Sequence, residues 1–463
     1  MIENKLIKNG SYYVIGTILL QGINFFSLPL FTRILTTESF GMVSIYNTWV
    51  SIFTIFISLQ VAGSVGIAKM NFSENEFKAY KSNIFLLLCI LFIFWNGIFL
   101  LSKNFILNIF NLNFLILISV VFQSFFFSII TFVSNEFTFE EQPRKKLLLS
   151  FVNVLTNISL SIFLIKKLNE SEGYYGRIFG SLIPVCTIGL YFIIKVFIKR
   201  WPKININHWK FCLSLTLPLI FHNLSNIILA SSDKIILEKY KGLTETGIYS
   251  FSYTLGTVIS ILWVALNNAW VPWYYKKIKN EEHTIIKKYS ENYLKFFTGI
   301  CVVFIICAPE MIKIMAPSRY NNGLYILPLV VLGYFFTFLY SFSVNYEFYN
   351  KKTKYIGIAT TIAALINVVL NLYFIPIYSG IGAAATTAIS YLFMFIFHET
   401  ITRKILNYRI LKYKDYMYQT LIMALTVTIY YNFLDNIKIR YFILMIYIAT
   451  LAIDFYNKNK RVN

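Results

Sequence analysis

One pattern constrains this chain above all others. Apolar stretches of about 20 residues, the length of helix that crosses a hydrocarbon core of roughly 30 Å, alternate with short segments that hold nearly all the charge. In lipid no water is available to pair backbone N–H and C=O groups, so each stretch must satisfy them internally as a helix. Composition agrees. With 57% hydrophobic and 14% charged residues and a mean hydropathy of +0.62, 463 residues carry more apolar surface than a soluble domain could hide.

The pattern predicts an all-α membrane protein of about fourteen transmembrane helices, near 12–31, 43–67, 83–101, 114–133, 147–165, 178–198, 211–232, 248–271, 294–309, 324–345, 356–374, 381–397, 417–433 and 441–456. An even count puts both termini on one side, and the loops on that side hold roughly 30 of the 42 Lys and Arg. The richest are "KVFIKRWPKININHWK", "KKIKNEEHTIIKKYSENYLK" and "RKILNYRILKYK". Cytoplasmic termini in a bacterial inner membrane follow as the expectation. The net charge of +21 is then a topological signal, and nucleic acid is excluded as a partner. "MIENKLIKNG" leads into the first span without a small-residue cleavage site, so that span is expected to be retained. Cys89, Cys186, Cys212, Cys301 and Cys307 show neither metal-ligand spacing nor loop pairing and read as core residues. No connection exceeds about 25 residues, so function must be housed within the bundle.

The chain also resembles itself at an offset of roughly 206–211 residues. "GMVSIYNTW" from Gly41 aligns with "GIYSFSYTL" from Gly247, setting Ser44 over Ser250 and Thr48 over Thr254. "LTNISLSIFLI" from Leu155 aligns with "LINVVLNLYFI" from Leu365, setting Asn157 over Asn367, and Glu136 falls over Glu347 in what read as equivalent cytoplasmic loops. Chance alignment of apolar sequence is the rival reading. The expected organisation is two six-helix lobes, 1–203 and 204–410, related by a pseudo-two-fold axis around a central cavity, with two further helices in 411–463.

Ionisable groups within spans are costly and tend to face cavities. Arg33 ends the first span, Asp233 and Lys234 end the seventh, and His222 lies deep in the seventh as the one deep group able to carry a proton. Arg33 and Lys234 occupy corresponding places on the side poor in basic residues; they either snorkel to the interface or meet an anionic headgroup. Asp233 could pair with Arg33 as a gate. Gln21, Asn24, Asn47 and Gln60 in the first two spans, and Asn223, Asn226, Asn267 and Asn268 in the seventh and eighth, either bind helices together or line a wet cavity fit for sugar hydroxyls. Pro29, Pro184, Pro218, Pro272, Pro328 and Pro376 interrupt spans, as ordinary tolerated prolines or as bending points. At His398 "HETIT" has Thr402 where a zinc-binding HExxH needs its second histidine, His208 and His283 stand in loops without clustered carboxylates, and no nucleotide loop or nucleophile elbow is present. No metal, cofactor or catalytic residue is expected, and the chain does not read as an enzyme.

Several segments resemble the polysaccharide and O-antigen repeat-unit flippases of the multidrug/oligosaccharidyl-lipid/polysaccharide (MOP) exporter superfamily: "LPLFTRILTTESFGMVSIYNTWVSIFTIFISLQV" from Leu28, "SSDKIILEKYKGLTETGIYSFSYTLG" from Ser231, "NNAWVPWYYKK" from Asn267 and "KKTKYIGIATTIAALINVVLNLYFIPIYSGIGAAATTAISYL" from Lys351. The last carries Asn367, Asn371, Pro376 and Gly382–Ala384, and "YYGRIFGSLIP" near Arg177 echoes it in the first half. The resemblance implies translocation of undecaprenyl-pyrophosphate-linked oligosaccharide between leaflets by alternating access, for O-antigen or capsule. Membrane lipids, a glycan polymerase and a chain-length regulator would be its partners. It sets the pyrophosphate near Arg33, Lys234 and Asp233, with Lys69 as another first contact, and the sugars against the amides. The alternatives are a cation-coupled drug exporter of the same superfamily, for which the first span lacks the embedded carboxylate, and a membrane glycan polymerase or assembly scaffold. A polymerase would need a longer exterior loop than the roughly fifteen residues available.

Overall fold

The computed structural model describes residues 25–110 and 112–460, together with residues 16, 20, 22 and 23. Among these the chain is helical, with no strand. It divides into two compact units, Met1–Ile227 and Ile228–Asn463.

The first unit contains α1 (Phe25–Ile34), α2 (Thr37–Ser58), a 3-10 turn (Val61–Ser64), α3 (Val65–Asn71), α4 (Glu74–Leu101), α5 (Lys103–Phe110), α6 (Phe114–Phe139), α7 (Pro143–Ile165), α8 (Gly173–Lys199) and the start of α9 (Ile206–Lys279). Local chemistry sets the helix starts. Thr36 accepts from Ser39 N at 3.0 Å, Asn113 from Ile116 N at 2.9 Å, and Ser73 with Glu76 forms a capping box. The core lies between α2, α6 and α8: Tyr46 donates to Gln123 Oε1 at 2.6 Å, and Ser124 Oγ to the Val50 carbonyl at 3.1 Å.

The second unit holds the rest of α9, then α10 (His283–Ile306), α11 (Ala308–Met315), α12 (Gly323–Tyr349), α13 (Lys354–Lys404), α14 (Tyr413–Asn432) and α15 (Ile437–Lys460). Helices α14 and α15 pack on α10. Arg440 of α15, with 2% of its side chain exposed, grips Glu310 of α11 at 2.6 Å, and Lys295 of α10 pairs with Asp454.

Among the described residues eight helices are long and apolar enough to cross a membrane, and α10 with α11, bent by 58°, makes a ninth. Two of the eight must each cross twice. At about 1.5 Å per residue, the 74 residues of α9 and the 51 of α13 would extend far beyond one bilayer. Both are broken, α9 at Gly242 (φ 79°, ψ 178°), a conformation essentially reserved for glycine, and α13 at Ser379 (φ 52°, ψ −137°). Ser379 is held there by donating to Glu245 Oε2 at 2.9 Å.

Several expected boundaries shift. The first span falls mostly outside the described residues. The second is interrupted at Leu59 and Gln60, which both have positive φ. Asp233 and Lys234 do not end a helix, because α9 continues to Gly242, where the left-handed turn first releases the backbone. His208 and His283 lie in the opening turns of α9 and α10, not in loops. Glu136 and Glu347 are likewise helical, buried in the last turns of α6 and α12. Both helices end in the same way, with Gln142 N donating to the Phe137 carbonyl at 2.9 Å and Lys352 N to the Glu347 carbonyl at 2.8 Å around left-handed Glu141 and Lys351.

Candidate functional site

Within the first unit a cavity of about 530 Å³ opens among α2, α6 and α9. Its polar lining is Asn47, Ser51, Thr54, Gln60, Gln123, Asn223 and Asn226, set among Val50, Ile55, Phe127 and Ile227. Four of the amides expected from sequence therefore share one cavity. Asn223 Nδ2 donates to Gln60 Oε1 at 3.1 Å, and Asn226 Nδ2 lies 3.1 Å from His222 Nε2. Gln123, Ser51 and Thr54 were missed; each is unremarkable in an apolar span, and only their convergence gives them meaning. The Gln123 carbonyl is engaged by Tyr46 and Ser181, so its amide NH₂ is what it offers the cavity.

Gln60 reaches the cavity because the backbone is broken there. Leu59 (φ 44°) and Gln60 (φ 59°) are left-handed, a conformation that costs roughly 1–2 kcal/mol per L-residue. The surroundings enforce it. Gln60 N donates to Ser58 Oγ at 3.0 Å, Gly63 N to the Gln60 carbonyl at 2.9 Å, and Asn135 Nδ2 to the freed Ala62 carbonyl at 3.0 Å. Broken backbone at membrane depth persists only where protein or a wet cavity satisfies it.

Around α9 and α13 the second unit builds another polar cluster. Asp233 is fully buried and accepts from Lys234 N at 2.7 Å and from Tyr249. Thr387 Oγ1 accepts from Asn367 Nδ2 at 3.2 Å. Asn367 Oδ1 accepts from Ser232 at 3.1 Å and from Asn371 at 2.9 Å, and Thr386 closes on Asn371. The cluster is closed on itself: N–H and O–H donors already occupy the Asp233 and Asn367 oxygens. Among the described residues no three His, Cys, Asp or Glu converge as a metal site.

The other expected residues are dispersed. Arg33 is exposed at the end of α1 and donates to the Pro29 carbonyl at 2.8 Å. Lys234 lies 5.2 Å from the Tyr253 ring centroid. Asn267 accepts from Asn345 at 3.0 Å, Asn268 is exposed, and Lys69 pairs with Glu140 while lying 4.2 Å over Phe77. Gln21 and Asn24 lie outside the described residues. A cation not singled out from the sequence, Arg177, bonds Asn157 and Ser161 (2.9 Å) and sits 4.2 Å from the Phe31 ring. Its signal was weak: Arg177 stands one residue ahead of the apolar span expected at 178–198, where a basic residue reads as a topological charge.

Residues 6–276 match the family model described as polysaccharide biosynthesis protein, more than half of the chain. The chain belongs to that family. Over 411 residues it is 23% identical to an uncharacterized membrane protein of Haemophilus influenzae, covering 83% of this chain and 96% of that one. Its fold is similar to that of the lipid II flippase MurJ in an inward closed conformation, at a TM-score of 0.73 and 19% identity over 96% of this chain and 98% of MurJ. It is also similar to an inward-facing multidrug resistance MATE family transporter of the MOP superfamily, at 0.65 and 12% over 84% and 95%. The polysaccharide family member thus has the MOP transporter fold, shared with a flippase and a multidrug transporter.

Proposed function

We propose that this protein turns undecaprenyl-pyrophosphate-linked oligosaccharide repeat units from the cytoplasmic to the outer leaflet, supplying O-antigen or capsule assembly. The observation that carries the reading is the amide- and hydroxyl-lined cavity among membrane helices in a polysaccharide biosynthesis protein. Neutral donors and acceptors match sugar hydroxyls, each bond contributing about 0.5–1.5 kcal/mol. No carboxylate lines this cavity among the described residues, which favours sugar over a cationic drug. Arg33, Lys234 and Lys69 serve the pyrophosphate in this reading, with Asp233 balancing Lys234, while Asn267 and Asn268 extend the sugar path. The membrane is the bacterial inner membrane, both termini are cytoplasmic, and the lobes are 1–203 and 204–410 with an added pair in 411–463. A polymerase and a chain-length regulator act on the product.

The test is to delete the gene and assay lipid-linked oligosaccharide by leaflet. Accumulation of complete repeat units on the cytoplasmic side, relieved by the wild-type gene, is the expected result. Normal crossing with unpolymerised product would replace the flippase reading with a polymerase or scaffold role.

A further inference from the structure

Outside the cavity, a second set of ionisable groups is more deeply buried than His222, which the sequence singled out as the deep one. Glu347, two residues before the end of α12, and His398, beyond the break in α13, meet at 2.9 Å between Oε1 and Nδ1, and both side chains have 0% exposure. The far atoms, Glu347 Oε2 and His398 Nε2, are also buried and have no hydrogen-bond partner among the described residues.

Counting protons shows what such a pair favours. With neutral imidazole and ionised carboxylate the pair carries one negative charge supported by a single hydrogen bond, which is costly where water is absent. One further proton makes the pair neutral, whether drawn as imidazolium with carboxylate or imidazole with carboxylic acid. Losing that proton calls for water at Oε2 and Nε2, the two atoms buried without a protein partner. Burial therefore favours loading, and hydration favours release.

Among the described residues Glu347 and His398 form no ion pair other than with each other. On α13 Glu399 accepts from Ser343 Oγ at 2.6 Å and pairs with Arg403 at 2.5 Å, and Arg403 also donates to the Leu411 carbonyl. Tyr340 of α12 lies 5.7 Å from the His398 ring; beyond it, Tyr416 of α14 faces Glu399, and Tyr274 of α9 faces Tyr346 and Tyr416. The first unit supplies a contrast. Glu136, which aligns with Glu347, is paired with Lys81 of α4, a cation that keeps its proton at physiological pH. Glu347 instead faces histidine, the side chain whose ordinary titration spans that range.

We propose that Glu347 and His398 form a proton-binding site, loaded when buried and emptied when hydrated, that couples proton movement to transport. The coupling rests on the flippase reading; the proton binding does not. The two are tested separately. In the full-length protein in lipid nanodiscs, ¹⁵N NMR of the four histidines follows ring protonation with no variant needed. Infrared difference spectra between acid and neutral pH follow the carboxyl carbonyl stretch. One proton is expected to titrate on the pair, read either as a histidine ring shift or as a carboxyl band, and Glu347→Gln and His398→Gln should each remove or move that signal. If neither a buried histidine nor a carboxyl band titrates, or if both variants give the wild-type spectra, the site is overturned.

Leaflet assays in vesicles with and without an imposed pH gradient test coupling. Wild-type movement of lipid-linked oligosaccharide should respond to the gradient by up to about tenfold per pH unit, and Glu347→Gln and His398→Gln should not respond. Variants that keep the full response would overturn coupling. Wild type that moves no oligosaccharide yet titrates as described would refute the flippase reading and leave the proton site standing.

Discussion

The sharpest structural prediction concerns Gly180. Helices α7 and α8 cross where Gly176 and Gly180 form a small-xxx-small pair, the device by which membrane helices approach closely. A Cβ at Gly180 would lie 2.3 Å from Ser161 Oγ, 2.4 Å from Ser161 Cα and 2.6 Å from Ser161 N. Backbone cannot rotate aside as a side chain can. Carbon atoms rest at about 3.5–4.0 Å, so Gly180→Ala must separate the helices by roughly 1 Å, at an overpacking cost of about 1–3 kcal/mol. The same movement pulls Ser161 and Asn157 from Arg177, whose charged hydrogen bonds contribute about 1.5–3 kcal/mol each when intact. Alanine returns about 1 kcal/mol in helix propensity, leaving a net loss of about 3 kcal/mol or more when both bonds are lost. Gly97 in α4 is the control, since nothing lies within 4 Å of its built Cβ; there Ala should stabilise by up to about 1 kcal/mol. Thermal melting in detergent should show Gly180→Ala a few degrees below wild type, at about 1 °C per kcal/mol for a chain of this length, and Gly97→Ala at or above it. If both variants melt at or above wild type, the close crossing does not exist.

Four further substitutions probe other parts of the molecule. Lys351→Gly should raise thermal stability by about 1 kcal/mol, because this exposed residue is left-handed at a helix end (φ 57°) where glycine has no penalty; a lower melting temperature would count against that backbone. Glu310→Ala should cost about 3 kcal/mol by stripping the carboxylate from Arg440, 2% exposed, and melting with the same detergent protocol reads it. Gln60→Leu and Asn223→Leu should each slow leaflet transfer by about fivefold, the rate equivalent of one neutral hydrogen bond near 1 kcal/mol, with unchanged expression; wild-type transfer in both would remove them from the substrate path.

Hydropathy alone determined that the chain is a bundle of membrane helices, because each segment must satisfy its own backbone in lipid, whatever its neighbours do. The clustering of Asn47, Gln60, Asn223 and Asn226 was legible for a similar reason: amides are rare enough in apolar spans to mark the helices that carry them. Which polar atoms meet was not legible, since a partner depends on the rotation and register of helices far apart in the chain. Nothing local distinguishes Gln123 from a helix-binding amide. Leu59 and Gln60 show no glycine or proline to announce a break; Ser58 and Asn135 enforce it from outside. Glu136 and Glu347 read as loop residues because carboxylates usually end spans. Tertiary structure instead supplied Lys81 to one and His398 to the other, and packing alone can keep such a pair dry.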